Sequence, residues 1–240
     1  MEENLMLSVE DIKKMLDTSE KGWPYNTIDN ATIVFKKDSL FAGNIRENLF
    51  RERIELFGTM SWSRSKREIT DKDEIHILHY LEKNYRLNNE RRIRAGMQIV
   101  ATENEYHPIR EYLKSLKWDG KERVRYALPH FLGVENTEYQ YEAIKLFMLG
   151  AIHRVFVPGC KFEYMLCLVG GQGAGKSTFI RFLATLDLWF TDDLKRMDDE
   201  KVYEHLAGHW ICEIAEMLAI LNTKYNEATK AFLSKQYDNY

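Results

Sequence analysis

YMLCLVGGQGAGKST, residues 164–178, is the stretch whose reading decides the fold. Tyr164 to Val169 is a short apolar run that predicts a buried strand, and Gly170 to Ser177 satisfies G-x-x-x-x-G-K-[ST], with Thr178 following. Each part of that motif has a physical task. Gly170, Gly171, Gly173 and Gly175, with Gln172 and Ala174 between them, let the backbone curl until successive N–H groups face one anion. Lys176 adds a cation for the β and γ phosphates of a nucleoside triphosphate. Ser177 offers a hydroxyl to Mg²⁺, and a helix from Lys176 to about Leu183 turns its positive end to the same anion. A chance match in a chain of this length is on the order of one per cent, so the expected ligands are a nucleoside triphosphate and Mg²⁺.

Outward from the motif, Trp210 to Ile214 predicts a second buried strand. Strand, glycine loop, helix and strand is the rhythm of a parallel sheet, so the expected fold is α/β: a P-loop core over residues 161–240, after a helical lead-in over 107–160. The second strand carries Glu213 and is followed by Glu216. A P-loop enzyme needs an acid near its metal, usually at a strand's C-terminal end. One of the two glutamates is expected to hold Mg²⁺ and the other to polarise the attacking water, making Lys176, Glu213 and Glu216 the catalytic set. The residues do not say which glutamate does which. Asp192 and Asp193 could approach the metal or, as the simpler reading, cap the next element, and His205 and His209 lack the acid of a zinc helix.

Toward the N-terminus, residues 1–106 predict a mainly helical α+β domain. Ser8 caps a helix to about Leu16, Ala31 to Lys37 reads as a strand, and Thr70 caps a helix to about Tyr85 with Ile75, Leu78, Tyr80 and Leu81 as its apolar stripe. A helix over about 90–102 opens with Arg91, Arg92 and Arg94, which suits a winged-helix or other DNA-binding module or, more simply, a solvated basic turn. Pro108 opens the lead-in, Pro129 is expected to end its second helix, and a long helix covers Tyr139 to Phe156, with Ile144, Phe147, Met148, Ile152 and Val155 near one face.

With 45% hydrophobic and 30% charged residues, the 240-residue chain has the make-up of a folded globular protein rather than a disordered one. A net charge of −3 excludes a protein coated in basic residues but allows a local basic strip. Its apolar runs, including Met217 to Leu221, are far short of the roughly 20 residues that cross a bilayer, and Met1-Glu2-Glu3-Asn4 does not open a secretory signal. Cys160, Cys167 and Cys212 are odd in number and dispersed, which predicts reduced, buried thiols and a cytoplasmic setting.

From about residue 105 the chain resembles the virulence-associated E family of phage and mobile-element primase-helicases. The resemblance lies in separated blocks: Tyr112-Leu113 to Leu116, Trp118-Asp119-Gly120 with Arg123, Arg154-Val155-Phe156, and Pro158-Gly159-Cys160-Lys161. Further blocks are Gly170 to Phe179, Trp189-Phe190, Gly208-His209-Trp210-Ile211 with Glu213 and Glu216, and finally Lys230-Ala231-Phe232-Leu233-Ser234 with Asp238. The resemblance implies an ATPase of the superfamily 3 and AAA+ type, acting on single-stranded or forked DNA as a homo-oligomeric ring or with a full-length homologue. Family members continue beyond the position of Tyr240 into a basic stretch, a Thr-Asn sensor strand and a paired-arginine motif, so a core incomplete at its C-terminus is expected. A second expectation follows from that: a non-hydrolysing relative that regulates or poisons a complete helicase ring. A GTP switch is disfavoured, because neither N-K-x-D nor D-x-x-G occurs.

Overall fold

The computed structural model describes residues 7–194 and 206–214. Glu216, His205, the first six residues, the Met217 to Leu221 run and the block from Lys230 to Asp238 lie outside the described residues. The described chain is mainly helical, with two small two-stranded sheets. It divides into two compact units, Met1–Pro108 and Ile109–Tyr240.

In the first unit, α1 (Val9–Lys13) and α2 (Ile28–Lys37) precede a hairpin of β1 (Ile45–Asn48) and β2 (Arg53–Leu56), and α3 (Asp71–Tyr85) and α4 (Glu90–Glu103) follow. The expected strand at Ala31 to Lys37 is α2 instead. Thr27 caps it by accepting from the Asn30 N–H, and the residues it buries, Asn30, Ala31, Val34 and Phe35, follow helical spacing. Burial of that stripe outweighs the local β preference of its branched residues. The hairpin sets Ile45 opposite Leu56, both buried in the core shared with Phe35, Leu81 and Tyr85.

Thr70 caps α3 in a full capping box with Asp73. Its buried stripe is Ile77, Leu81 and Tyr85, whereas Ile75, expected in the core, is 67% exposed. Strict i, i+4, i+8 spacing selects the first three, and Ile75 falls outside that stripe.

In the second unit, α5 (Pro108–Ser115), α6 (Arg123–Leu132) and α7 (Glu138–Phe156) lead to α8 (Lys176–Leu183). Pro129 lies inside α6 rather than ending it; the helix runs to Leu132 and closes on Gly133, whose N–H donates to the Pro129 carbonyl at 3.0 Å. Of the expected α7 stripe, Ile144 and Val155 are buried. The parallel sheet is a single pair, β3 (Phe190–Thr191) beside β4 (Ile211–Cys212), so the second expected strand is present in shortened form.

The first expected strand is not. Residues 164–169 have no ladder partner among the described residues, and a strand exists only where a second segment lies beside it to share its backbone hydrogen bonds. The segment keeps a strand's alternation all the same: Leu166 and Leu168 pack on Leu128, Ile144 and Phe179, while Met165, Cys167 and Val169 face outward. Cys167 is therefore exposed, against the expectation of a buried thiol, and none of the three cysteines is in a disulfide.

Candidate functional site

The glycine loop is held from both sides by packing. Downstream, Phe179 on α8 is 4% exposed and sits against Leu128 of α6 and Ile144 of α7, which fixes the helix that the loop enters. Upstream, Phe162 lies on α7 at Gly150, where a Cβ would come within 2.3 Å of its ring, and Arg154 donates to the Phe162 carbonyl at 3.1 Å. The linear chain does not pair this mid-helix glycine with an aromatic eight residues beyond Arg154; a lone glycine inside an apolar helix is the signal it offers.

Within the loop, Gly173 and Gly175 have φ values of 78° and 79°, left-handed backbone that disfavours any side chain with a Cβ. Gly175 is also the residue from which α8 starts, and its carbonyl accepts from the Phe179 N–H at 2.9 Å. The backbone N–H groups of Gly171 to Gly175 have no acceptor among the described residues. Lys176 turns back across the loop and donates to the carbonyls of Gly170 at 2.9 Å and Gly171 at 2.7 Å. An ammonium has three N–H donors, so one is left for an anion. Ser177 and Thr178, next in the motif, are exposed at the first turn of α8.

The acid comes from β4. Trp210 donates its backbone N–H to Trp189 at 2.7 Å and its indole N–H to Ala151 at 3.1 Å, and Glu213 donates its N–H to Thr191 at 2.8 Å. These bonds set the end of β4 beside α8. There Ser177 Oγ donates to Glu213 Oε1 at 2.5 Å, while Glu213 Oε2 is buried with no hydrogen-bond partner. The structure thus brings Glu213 to Ser177 and its neighbour Lys176 across a separation of 36 positions in sequence, and Glu216 falls outside the described residues. Beside this cluster, burial pushes the Cys212 thiol up to about 12, which keeps it protonated and inert.

Other candidates stand apart. Asp193 takes a backbone bond from its own N–H to Thr191 Oγ1 at 3.2 Å, and both Asp192 and Asp193 are exposed. Among the described residues no group of three His, Cys, Asp or Glu side chains is gathered for a metal. No helix among them is long and apolar enough to cross a membrane.

No curated protein matches the chain. A family model does: the virulence-associated protein E-like domain matches residues 113–240, more than half of the sequence and the part that contains the whole loop, α8 and β4. With that match and a glycine loop, lysine, serine and acid in one place, the chain belongs to the virulence-associated protein E-like family, a P-loop ATPase family of phage and plasmid primase proteins.

Proposed function

We propose that this chain is the ATP-binding and ATP-hydrolysing part of a DNA helicase that serves the replication of a phage or mobile element. The observation that carries the reading is the Ser177 to Glu213 contact with one Glu213 oxygen left buried and unpartnered. A buried carboxylate oxygen without a donor is costly, and a divalent cation or its bound water is the partner that suits it.

In this reading the free N–H groups of Gly171 to Gly175 and the third donor of Lys176 bind the phosphates of ATP. Ser177 and Glu213 would hold Mg²⁺, which when bound would supply charge neutralisation for the phosphates. Glu213 is thereby committed to the metal side, and Glu216 is left to orient the attacking water. The α8 N-terminus adds a fixed dipole that needs no rearrangement as negative charge develops. The working form is a homo-oligomeric ring, or an assembly with a full-length homologue, on single-stranded or forked DNA.

The deciding experiment is Mg·ATP binding by calorimetry in the parent and in Lys176→Ala. A loss of roughly tenfold or more in affinity is expected from removing a charge-assisted phosphate contact. Undiminished affinity in Lys176→Ala overturns the reading.

A further inference from the structure

The first unit has a surface that the nucleotide site does not use. The loop over residues 17–27 is tied down by Asn30, which is fully buried. Its Oδ1 accepts from the Asp17 N–H at 2.8 Å, and its Nδ2 donates to the carbonyls of Asp17 at 2.9 Å and Tyr25 at 2.8 Å. Within the loop the Tyr25 N–H returns to the Asp17 carbonyl and the Ser19 N–H to the Trp23 carbonyl, both at 2.9 Å. So fixed, the loop presents Trp23 and Tyr25 at 50% and 51% exposure. Large aromatics are costly to leave in water, and a rigid loop that does so is already arranged for contact.

Two arginines touch the same loop, and a third lies beside one of them at the start of α4. The Arg86 guanidinium lies 3.6 Å over the Trp23 ring. Asn26 Oδ1 accepts the N–H groups of Asn88 at 2.7 Å and Asn89 at 3.1 Å, and Arg92 donates to the Asn26 carbonyl, which joins the loop to the start of α4. Arg91 is exposed between them in sequence. Among the described residues none of Arg86, Arg91 and Arg92 forms an ion pair, whereas nearby Arg94 is taken by Glu74 and Glu90. Uncompensated guanidinium charge beside preset, half-exposed rings is the combination that stacks bases and neutralises phosphates along a single strand. A duplex would use the charge and leave the rings idle.

We propose that Trp23, Tyr25, Arg86, Arg91 and Arg92 form a binding surface for single-stranded DNA. The proposal rests on the DNA partner named above and is independent of hydrolysis. Its test is fluorescence anisotropy of a labelled oligothymidylate of about 20 nucleotides, long enough for more than one such surface, with the full chain and no nucleotide added. Trp23→Ala and Arg86→Ala each weaken binding about tenfold, the loss of one stacked base. Arg91→Gln removes a charge without removing an ion pair, so it lowers affinity and reduces the salt slope by about one while the melting temperature and Mg·ATP affinity stay at parent values. Parent-level binding in all three variants overturns the surface and leaves the DNA reading standing. Preference of the parent for duplex over oligothymidylate also overturns it, and failure of the parent to bind any DNA overturns both.

Discussion

At Glu213 two functions of a carboxylate are separated by one bond angle: Oε1 accepts from Ser177, and Oε2 is buried without a donor. Replacing it by Gln keeps the shape and puts an N–H₂ group or a neutral oxygen where a cation is expected. Glu213→Gln is therefore expected to retain nucleotide binding while slowing Mg²⁺-dependent phosphate release by about 10² or more, the scale for losing one preset electrostatic contact in a transition state. A steady-state phosphate assay with binding measured in parallel checks it, and unchanged turnover would remove Glu213 from the metal side. The loop glycines and Lys176 were legible in the sequence because the motif's chemistry is local. The pairing of Ser177 with Glu213 was not, since nothing in a linear spacing of 36 residues fixes a 2.5 Å contact.

At the scale of single elements, α8 is a helix of eight residues, too short to be stable alone. Phe179 is its buried anchor against α6 and α7. Phe179→Ala is expected to destabilise the second unit by about 3 kcal/mol and to weaken nucleotide binding with it, because the loop's far end loses its fixed point. Denaturant midpoints, read with and without Mg·ATP, measure both effects.

The start of α3 carries the acid-sensitive element of the first unit. Asp73 is almost fully buried. Burial alone would raise its pKa, but donors from Arg64, Trp62 and Thr70 outweigh it together and hold the carboxyl down at about 2, below its ordinary 3.8. A group depressed in the folded state contributes its stabilisation above the unfolded value and loses it as pH falls through the folded one. The first unit should accordingly weaken between about pH 4 and pH 2. Asp73→Asn should be less stable at neutral pH and show a flatter acid limb, which circular dichroism melts across that range would report.

Across the whole molecule, the nucleotide site lies wholly in the second unit, among α8, β4 and the loop between residues 170 and 175. A ligand that binds only the folded form stabilises it by about 2.7 kcal/mol at one hundred times its dissociation constant. Hydrogen exchange should accordingly show Mg·ATP slowing the amides of Gly171 to Phe179 and of β4, with the α3 and α4 amides of the first unit unchanged. Equal protection in both units would show that the site's energetics extend beyond the residues named for it.

The sequence alone determined what short-range chemistry determines. Caps at Ser8 and Thr70, the helices they start, the glycine loop and the helix leaving it all depend on residues within a few positions of one another. Tertiary packing decided the rest. It made Ala31 to Lys37 a helix, because a buried stripe outweighs the strand preference of branched residues, and it let α6 run through Pro129 to Gly133. It also gave residues 164–169 the alternation of a strand without a ladder, since pairing is a property of two segments and not of one. The exposed Trp23 under Arg86 has the same origin. Each residue is ordinary in the linear chain, and only the folded loop, fixed through a buried Asn30, sets the ring and the charge together.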